Sequence, residues 1–416
     1  MIGLVFAYLR EKRLTTALNI VLLAISVAML VMLLQFARQS EESFINGAEG
    51  IDLVVGAKGS PLQLVMSSVY HLDQPTGNIP KSALRDLRGN PMVASAIPLA
   101  LGDQFRGFRI VGSEPQLLEL YEAATVEGRI FDAPLEVVIG AEVARETGAI
   151  PGQQFIGSHG LTSDGEGPGH EATPFTVTGV LAPTGKPIDR LIVTSLESVW
   201  DVHGIEHDEE ANHDPAEAIE THDHAYSAEP GHDGSEPEIT AILVGYRNPA
   251  AAVRLPPTIN RNTALQAASP ARESTRLLTL FEPIIEAVGL FALLLGATGA
   301  LAIFVALWNG IRAREGDLAL LRVMGASRAR IFATVLLEGT VTGLFAATTG
   351  VLLGHLALWL ATRSFVSLTE AGIAPWQIGT SEVAIVAAAV GLGALAAAIP
   401  AFNVTRRNLA PILGRS

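Results

Sequence analysis

The sequence contains no cysteine. Disulfides, thiolate nucleophiles and cysteine metal ligands are therefore excluded, and any metal would have to be held by His, Asp or Glu. Positive charge is also scarce: 28 Lys and Arg stand against 42 Asp and Glu, a formal net charge of −14. A surface that neutralises phosphates needs the opposite balance, which argues against nucleic acid as a partner. Charged residues make up only 17% of the chain while 49% is hydrophobic, too apolar for a typical soluble enzyme. Enzyme motifs are missing as well, with no His-Glu-x-x-His and no Gly-x-Ser-x-Gly. The nearest approach to a phosphate-binding loop, Gly179 to Pro187, spaces its glycines one residue too widely and puts Pro187 where Ser or Thr is needed. The chain is read as a non-enzyme, and if ATP drives it another chain must hydrolyse that ATP.

What the sequence does hold is four long apolar runs: Leu14 to Ala37, Ala287 to Ile311, about Ile331 to Thr362, and Val383 to Thr405. At about 1.5 Å per residue, roughly 20 apolar residues cross a 30 Å hydrocarbon core, so each run reads as a transmembrane helix. The first follows Arg10, Lys12 and Arg13 as a signal peptide would, but its length and the absence of a small-x-small site after it predict a retained anchor. Arginines cluster in the N-terminal segment, between the second and third runs (Arg312, Arg314, Arg322, Arg328, Arg330) and in the tail (Arg406, Arg407, Arg415). The positive-inside rule then predicts both termini cytoplasmic, with residues 38–282 and 363–382 on the other face. Gly350-x-x-x-Gly354 and Gly296-x-x-x-Ala300 supply small residues at helix-contact spacing. Glu338, about two turns past Arg330, is expected to snorkel toward water from a helix end.

Residues 38–282 alternate short β-like runs with turns. Strands are expected at Asp52 to Val55, Arg109 to Gly112, Glu136 to Ile139, Phe175 to Leu181, Leu191 to Thr194 and Thr240 to Gly245, with helices at Pro115 to Ala123 and Gly140 to Gly148. The expected fold is thus a membrane α-helical protein with four transmembrane helices and a large α+β extracytoplasmic domain between the first and second. Its parts are residues 1–37, the domain at 38–282, and a membrane part at 283–416. Leu53 to Leu64 with Pro75 to Ile79 reads as Gly/Pro turns or a cleft beside the first span.

Within that domain, residues 200–238 lose nearly all aliphatic residues and carry His203, His207, His213, His222, His224 and His232 among Asp and Glu. Such a segment cannot bury enough apolar surface to fold alone. Imidazole and carboxylate suit zinc first, with nickel or copper as further candidates, although the spacing matches no closed-site signature. A solvated acidic linker is the alternative reading of the same residues.

The run Arg314 to Ile331, followed by Leu336-Leu-Glu-Gly339, and the ending Ile399 to Leu413 resemble the FtsX-like permease domain. Upstream, Gly128 to Phe131, Val137 to Val143, Gly152, Phe175 to Val180 and Asp189 to Val193 resemble the periplasmic core domain of MacB-type ABC permeases. The resemblance implies an inner-membrane permease subunit, a homodimer or pseudo-symmetric pair, working with a separate ABC ATPase that binds the ATP. It also implies that Arg314 to Arg330 forms a coupling helix on that ATPase, Leu318, Leu321 and Val323 giving apolar contact and Arg314, Glu315 and Arg322 polar contact. The residues themselves agree, since a short helix of mixed character between two spans needs a protein partner or the membrane surface over its apolar face. The mechanism implied is mechanotransmission: closure of the ATPase moves the coupling helices, and the first and second spans carry the movement outward. The work done there could be metal handling with a periplasmic or lipoprotein partner, lipoprotein release, peptide or antibiotic efflux, or activation of a cell-wall hydrolase without transport.

Overall fold

The computed structural model describes residues 2–159, 173–203, 237–365, 368 and 372–406. The chain opens with α1 (Ile2–Glu11) and α2 (Arg13–Gly47). There follow β1 (Leu53–Ala57), α3 (Pro61–Ser68), β2 (Ile79–Pro80), α4 (Ser82–Arg88), β3 (Val93–Phe105), β4 (Phe108–Ser113) and α5 (Gln116–Leu120). Next come β5 (Thr125–Gly128), β6 (Glu136–Ile139), α6 (Ala141–Thr147), β7 (Gln154–Phe155), β8 (Ser158–His159), β9 (Phe175–Leu181), a 3-10 turn (Pro187–Arg190) and β10 (Leu191–Thr194). Then α7 (Leu196–Val202), β11 (Glu238–Ile239), β12 (Ala241–Tyr246), α8 (Pro249–Asn262) and β13 (Leu265–Ala268) lead into α9 (Pro270–Ala313), α10 (Glu315–Val323), α11 (Arg328–Ser364) and α12 (Thr380–Arg406). Two compact units result: Met1–Glu41 with Leu278–Ser416, and Glu42–Leu277.

Among the described residues four helices, α2, α9, α11 and α12, are long and apolar enough to cross a membrane, and the four apolar runs read from the sequence all fall within them. Small residues set their packing. A Cβ at Gly339 would strike Ala397 Cβ and the Gly393 carbonyl, and one at Gly343 would come within 2.9 Å of the Ala389 carbonyl, so α11 and α12 approach backbone to backbone. Gly350 and Gly354 meet α2 in the same way, the first against Ala24 and Val27 and the second against Ala28 and Val31. Gly296 faces Ser26, whose hydroxyl donates to the Ala292 carbonyl at 2.7 Å and joins α2 to α9. Gly350, Gly354 and Gly296 therefore lie at helix interfaces.

The second unit is built on a mixed eleven-stranded sheet, ordered β13-β1-β12-β3-β4-β10-β6-β9-β5 along its main path, with β7 beside β9 and β8 beside β3. The β10–β4 and β6–β9 pairs are parallel, and β2 and β11 form a separate two-stranded ribbon. Alternate residues of one strand enter different cores: Leu53 and Val55 pack with Ile242, Val244 and Trp200, while Val54 packs with Leu99, Val111 and Leu243. A sheet buried on both faces needs apolar residues at every position, which is why β1, β10 and β12 read as unbroken Val/Ile/Leu runs. The six expected strands match β1, β4, β6, β9, β10 and β12 to within two residues at either end, and the two expected helices are α5 and α6.

The longest strand, β3, was not foreseen, because Pro98 and Gly102 interrupt it. Pro98 is tolerated through its carbonyl, which accepts from the Ser113 hydroxyl at 2.7 Å, and the ladder to β4 shifts register between Leu101 and Gln104. Helix α8 was hidden in the same way by Pro256 and Pro257; Asn248 caps it by accepting from the Ala251 amide at 3.2 Å, and Leu255 and Ile259 bury its inner face. The Leu53 to Leu64 segment forms β1 and the start of α3 rather than a run of turns, with Ser60 as N-cap and the Lys58 ammonium donating to the carbonyls of Asn260, Thr263 and Leu265 at 2.8 to 3.2 Å.

Candidate functional site

Between the spans α9 and α11 the chain folds into the short α10. Gly325, at φ 96°, stops it in the left-handed region that a β-carbon disfavours, and Ser327 then caps α11 by accepting from the Arg330 amide at 3.2 Å. Leu318 is buried with Ile331 of α11 and Val404 of α12, and Leu321 packs against the same cluster. Three residues on another face, Leu320, Val323 and Met324, are 54%, 69% and 73% exposed. Their i, i+3, i+4 spacing makes one continuous apolar stripe.

Arg314 does not reach outward either. Its guanidinium donates from Nη2 to Glu338 Oε1 at 3.4 Å and lies 4.0 Å over the Tyr8 ring of α1. Glu338 is thus a buried partner of Arg314 rather than a carboxylate snorkelling to water, which corrects the reading from its distance to Arg330. Of the residues proposed for ATPase contact, Arg314 and Leu318 face the bundle and Leu321 and Arg322 are half-buried, while Val323 is exposed; Glu315 lies in the first turn of α10. Leu320 and Met324, not singled out in the sequence, share the exposed face with Val323 at helical spacing.

In the second unit, Tyr70 gathers the ends of the two helices that lead to the membrane-spanning segments. Its hydroxyl donates to the Phe44 carbonyl of α2 at 2.9 Å and sits 2.8 Å from the Ser274 hydroxyl of α9. The Phe44 ring meets the Tyr70 ring edge-on at 4.9 Å, and a Cβ at Gly47 would come within 2.9 Å of that ring. Burial raises the phenol's pKa above its usual value, so it remains a neutral donor. Next to it, His71 holds φ 55° with its Nδ1 enclosed, and burial followed by the charge of Arg109 lowers its pKa to about 3.

Among the proposed metal ligands, His203 follows α7, with Nδ1 2.7 Å from the Val199 carbonyl and Nε2 3.7 Å from Asp103 Oδ1. His207, His213, His222, His224 and His232 lie outside the described residues. Among the described residues no group of three His, Asp or Glu is placed to hold a metal ion.

A second buried polar group, in the membrane unit, escaped the sequence reading. His355 of α11 stands 3.1 Å from Glu382 of α12, and both are almost fully enclosed. The Gln35 amide of α2 donates to the same Glu382 oxygen and to the Gln377 carbonyl, and Gln39 donates to Gln35 at 2.9 Å. A His within the third apolar run was the available signal, since ionisable groups inside spans are costly and seldom incidental.

Comparison with known families places residues 16–259 in the MacB-like periplasmic core domain and residues 289–409 in the FtsX-like permease C-terminal domain. Among solved structures, the periplasmic region of MacB from Actinobacillus actinomycetemcomitans is 12% identical, with a TM-score of 0.33, over 55% of this chain and 95% of that one. The extracellular domain of the noncanonic ABC-type transporter YknZ from Gram-positive bacteria is 13% identical, with a TM-score of 0.30, over 53% of this chain and 99% of that one. No curated protein matches the chain.

Proposed function

For a chain that belongs to the ABC permease family joining a MacB-like periplasmic core domain to an FtsX-like permease domain, we propose a force-transmitting role in which α10 is the receiver. Members of this family are inner-membrane transporter permeases, generally without enzymatic activity, whose ATP is hydrolysed by a partner ATPase. In our reading a separate ATPase docks on Leu320, Val323 and Met324, and the permease works as a homodimer with both termini on the ATPase side.

The observation that carries this reading is the two-faced character of α10. Its outer apolar stripe calls for a protein partner or the membrane surface as cover, and in this reading the cover is the ATPase, while Leu318 and the Arg314–Glu338 pair tie the segment to α11, α12 and α1. A displacement imposed on the stripe is then passed to the spans rather than absorbed by a loose loop. In the second unit, Tyr70 binds Phe44 of α2 and Ser274 of α9 and holds both beside the turn that follows α3.

The test is charge placement on the stripe. Leu320→Asp with Val323→Asp should leave the purified chain folded and lower ATP hydrolysis by its co-assembled ATPase at least about tenfold, as loss of an interface centre does. Unchanged hydrolysis would contradict the reading.

For the work done outside, the histidines from His203 to His232 favour zinc handling with a periplasmic partner. His203 is set up for it, since a carbonyl holds Nδ1–H and turns Nε2 toward the Asp103 carboxylate. Zinc titration of the full chain should show micromolar binding that a Gly/Ser replacement of residues 203–232 abolishes. No binding at millimolar zinc would remove the metal role and leave the permease reading intact.

A further inference from the structure

We infer that a cavity beside the edge strand β13 binds a small zwitterion, an α-amino acid with a short apolar side chain, through Arg272 for its carboxylate and Glu273 for its ammonium. This goes beyond the permease reading and depends neither on α10 nor on any metal.

The cavity has a volume of about 220 Å³ and lies between α8, the end of β12 and the first turn of α9. Its floor is already committed. Asn260 donates to the Ala267 carbonyl at 3.1 Å and accepts from the Ala267 amide at 2.6 Å, as a neighbouring strand would, and Gln266 donates to Asn260 Oδ1 at 3.2 Å. The outer edge of β13 is thereby closed at Ala267 to an added peptide strand, which leaves a small molecule as the occupant.

The rim is not committed. Among the described residues the Arg272 guanidinium makes no hydrogen bond or ion pair and the Tyr246 hydroxyl makes no hydrogen bond, although both line the cavity. Burial, and after it the charge of Asp52, pushes the Tyr246 phenol up to about 12, so it keeps its proton and can donate. Asp52 is itself engaged, one of its oxygens accepting from the Tyr246 amide at 2.6 Å. Glu273 holds Oε2 enclosed without a hydrogen-bond donor, and its ion pair with Arg276 is long, at 3.9 Å.

Opposite charges on the wall of one small cavity select a ligand that carries both. An anion alone would be opposed by Glu273 and a cation alone by Arg272, whereas a zwitterion satisfies the two together. A guanidinium with a phenol beside it suits a carboxylate. The remaining wall, Pro61, Ala252 and Pro256, is apolar and suits a short aliphatic side chain. Both charged residues owe their place to the start of α9, where Pro270 opens the helix and the Ser269 carbonyl accepts from the Arg272 and Glu273 amides at 3.1 Å. A bound amino acid braces that first turn against α8 and β12.

The test is calorimetric titration of the full chain in lipid nanodiscs with L-valine, beside isovalerate, which lacks the ammonium, and isobutylamine, which lacks the carboxylate. Saturable binding of valine is expected, at least about tenfold tighter than that of either analogue. Arg272→Gln and Glu273→Gln, changes at an exposed and a half-buried position that leave the fold intact, should each weaken valine binding by a similar factor. Absence of saturable valine binding at about 10 mM overturns the proposal. Isovalerate binding as tightly as valine, with no effect of Glu273→Gln, overturns it equally, because the cavity would then recognise a carboxylate alone.

Discussion

The Arg314 guanidinium, at the entrance to α10, is joined to the Glu338 carboxylate, nearly three turns into α11, at 3.4 Å. Both side chains are about 90% enclosed, so the pair is a structural fixture of the spans rather than a surface contact. Removing either partner strands the other charge, at a cost on the order of 3 kcal/mol, whereas removing both costs less than the sum. Thermal unfolding of Arg314→Ala, Glu338→Ala and the double variant in detergent measures this. Additive losses would mean that the two groups do not act together.

Gly339 lies where α11 meets α12 backbone to backbone. Gly339→Leu has no room against Ala397 and the Gly393 carbonyl and should destabilise the bundle by about 2 kcal/mol or more, read as a fall in melting temperature. Gly391 of α12 has open space around it, so Gly391→Ala meets no clash and should leave stability unchanged or raise it by up to about 1 kcal/mol.

Tyr70 tests whether force leaves the membrane through the paired ends of α2 and α9. Tyr70→Phe keeps the ring packing on Phe44 and Gly47 and deletes only the hydroxyl, at a cost of about 1 kcal/mol. ATP hydrolysis by the partner should survive while the work done outside falls, a separation that an assay of both activities would reveal. Equal loss of the two would assign Tyr70 a folding role alone.

His71 makes the second unit sensitive to acid. Its folded pKa of about 3 lies below the ordinary value near 6.5, so as pH falls the unfolded chain takes up the proton first. Stability is unaffected above about pH 6.5 and declines between there and pH 3. His71→Asn keeps a residue that accepts positive φ and should flatten this decline by on the order of 2 kcal/mol, measured by denaturant unfolding at pH 7 and pH 4.

The parts of the fold legible in the sequence are those where one residue pattern has one physical meaning. Four apolar runs have no other home than long apolar helices, and Val137 to Ile139 or Leu191 to Val193, apolar at every position, fit strands covered on both faces. β3 and α8 were hidden because Pro98, Pro256 and Pro257 ordinarily mark ends, and only tertiary contacts reveal that each is tolerated. The site was partly legible for a related reason. The position of α10 follows from the loop between two spans, but which of its faces turns inward depends on Ile331 and Val404, the second of them far away in sequence. Likewise His355 stands out in its apolar run, but its partner Glu382 is not legible until α11 and α12 pack and set them 3.1 Å apart.

Because the chain has no cysteine, a single one can be introduced without background, and this gives the most direct test of α10 as the ATPase contact. Val323→Cys and Leu318→Cys would each be labelled with a maleimide photo-cross-linker in native membranes and the adducts identified by mass spectrometry. The account predicts that Val323→Cys captures a protein containing an ABC ATP-binding motif and that the inward-facing Leu318→Cys does not. Capture of lipid alone from Val323→Cys, or equal capture of the ATPase from both positions, would contradict it.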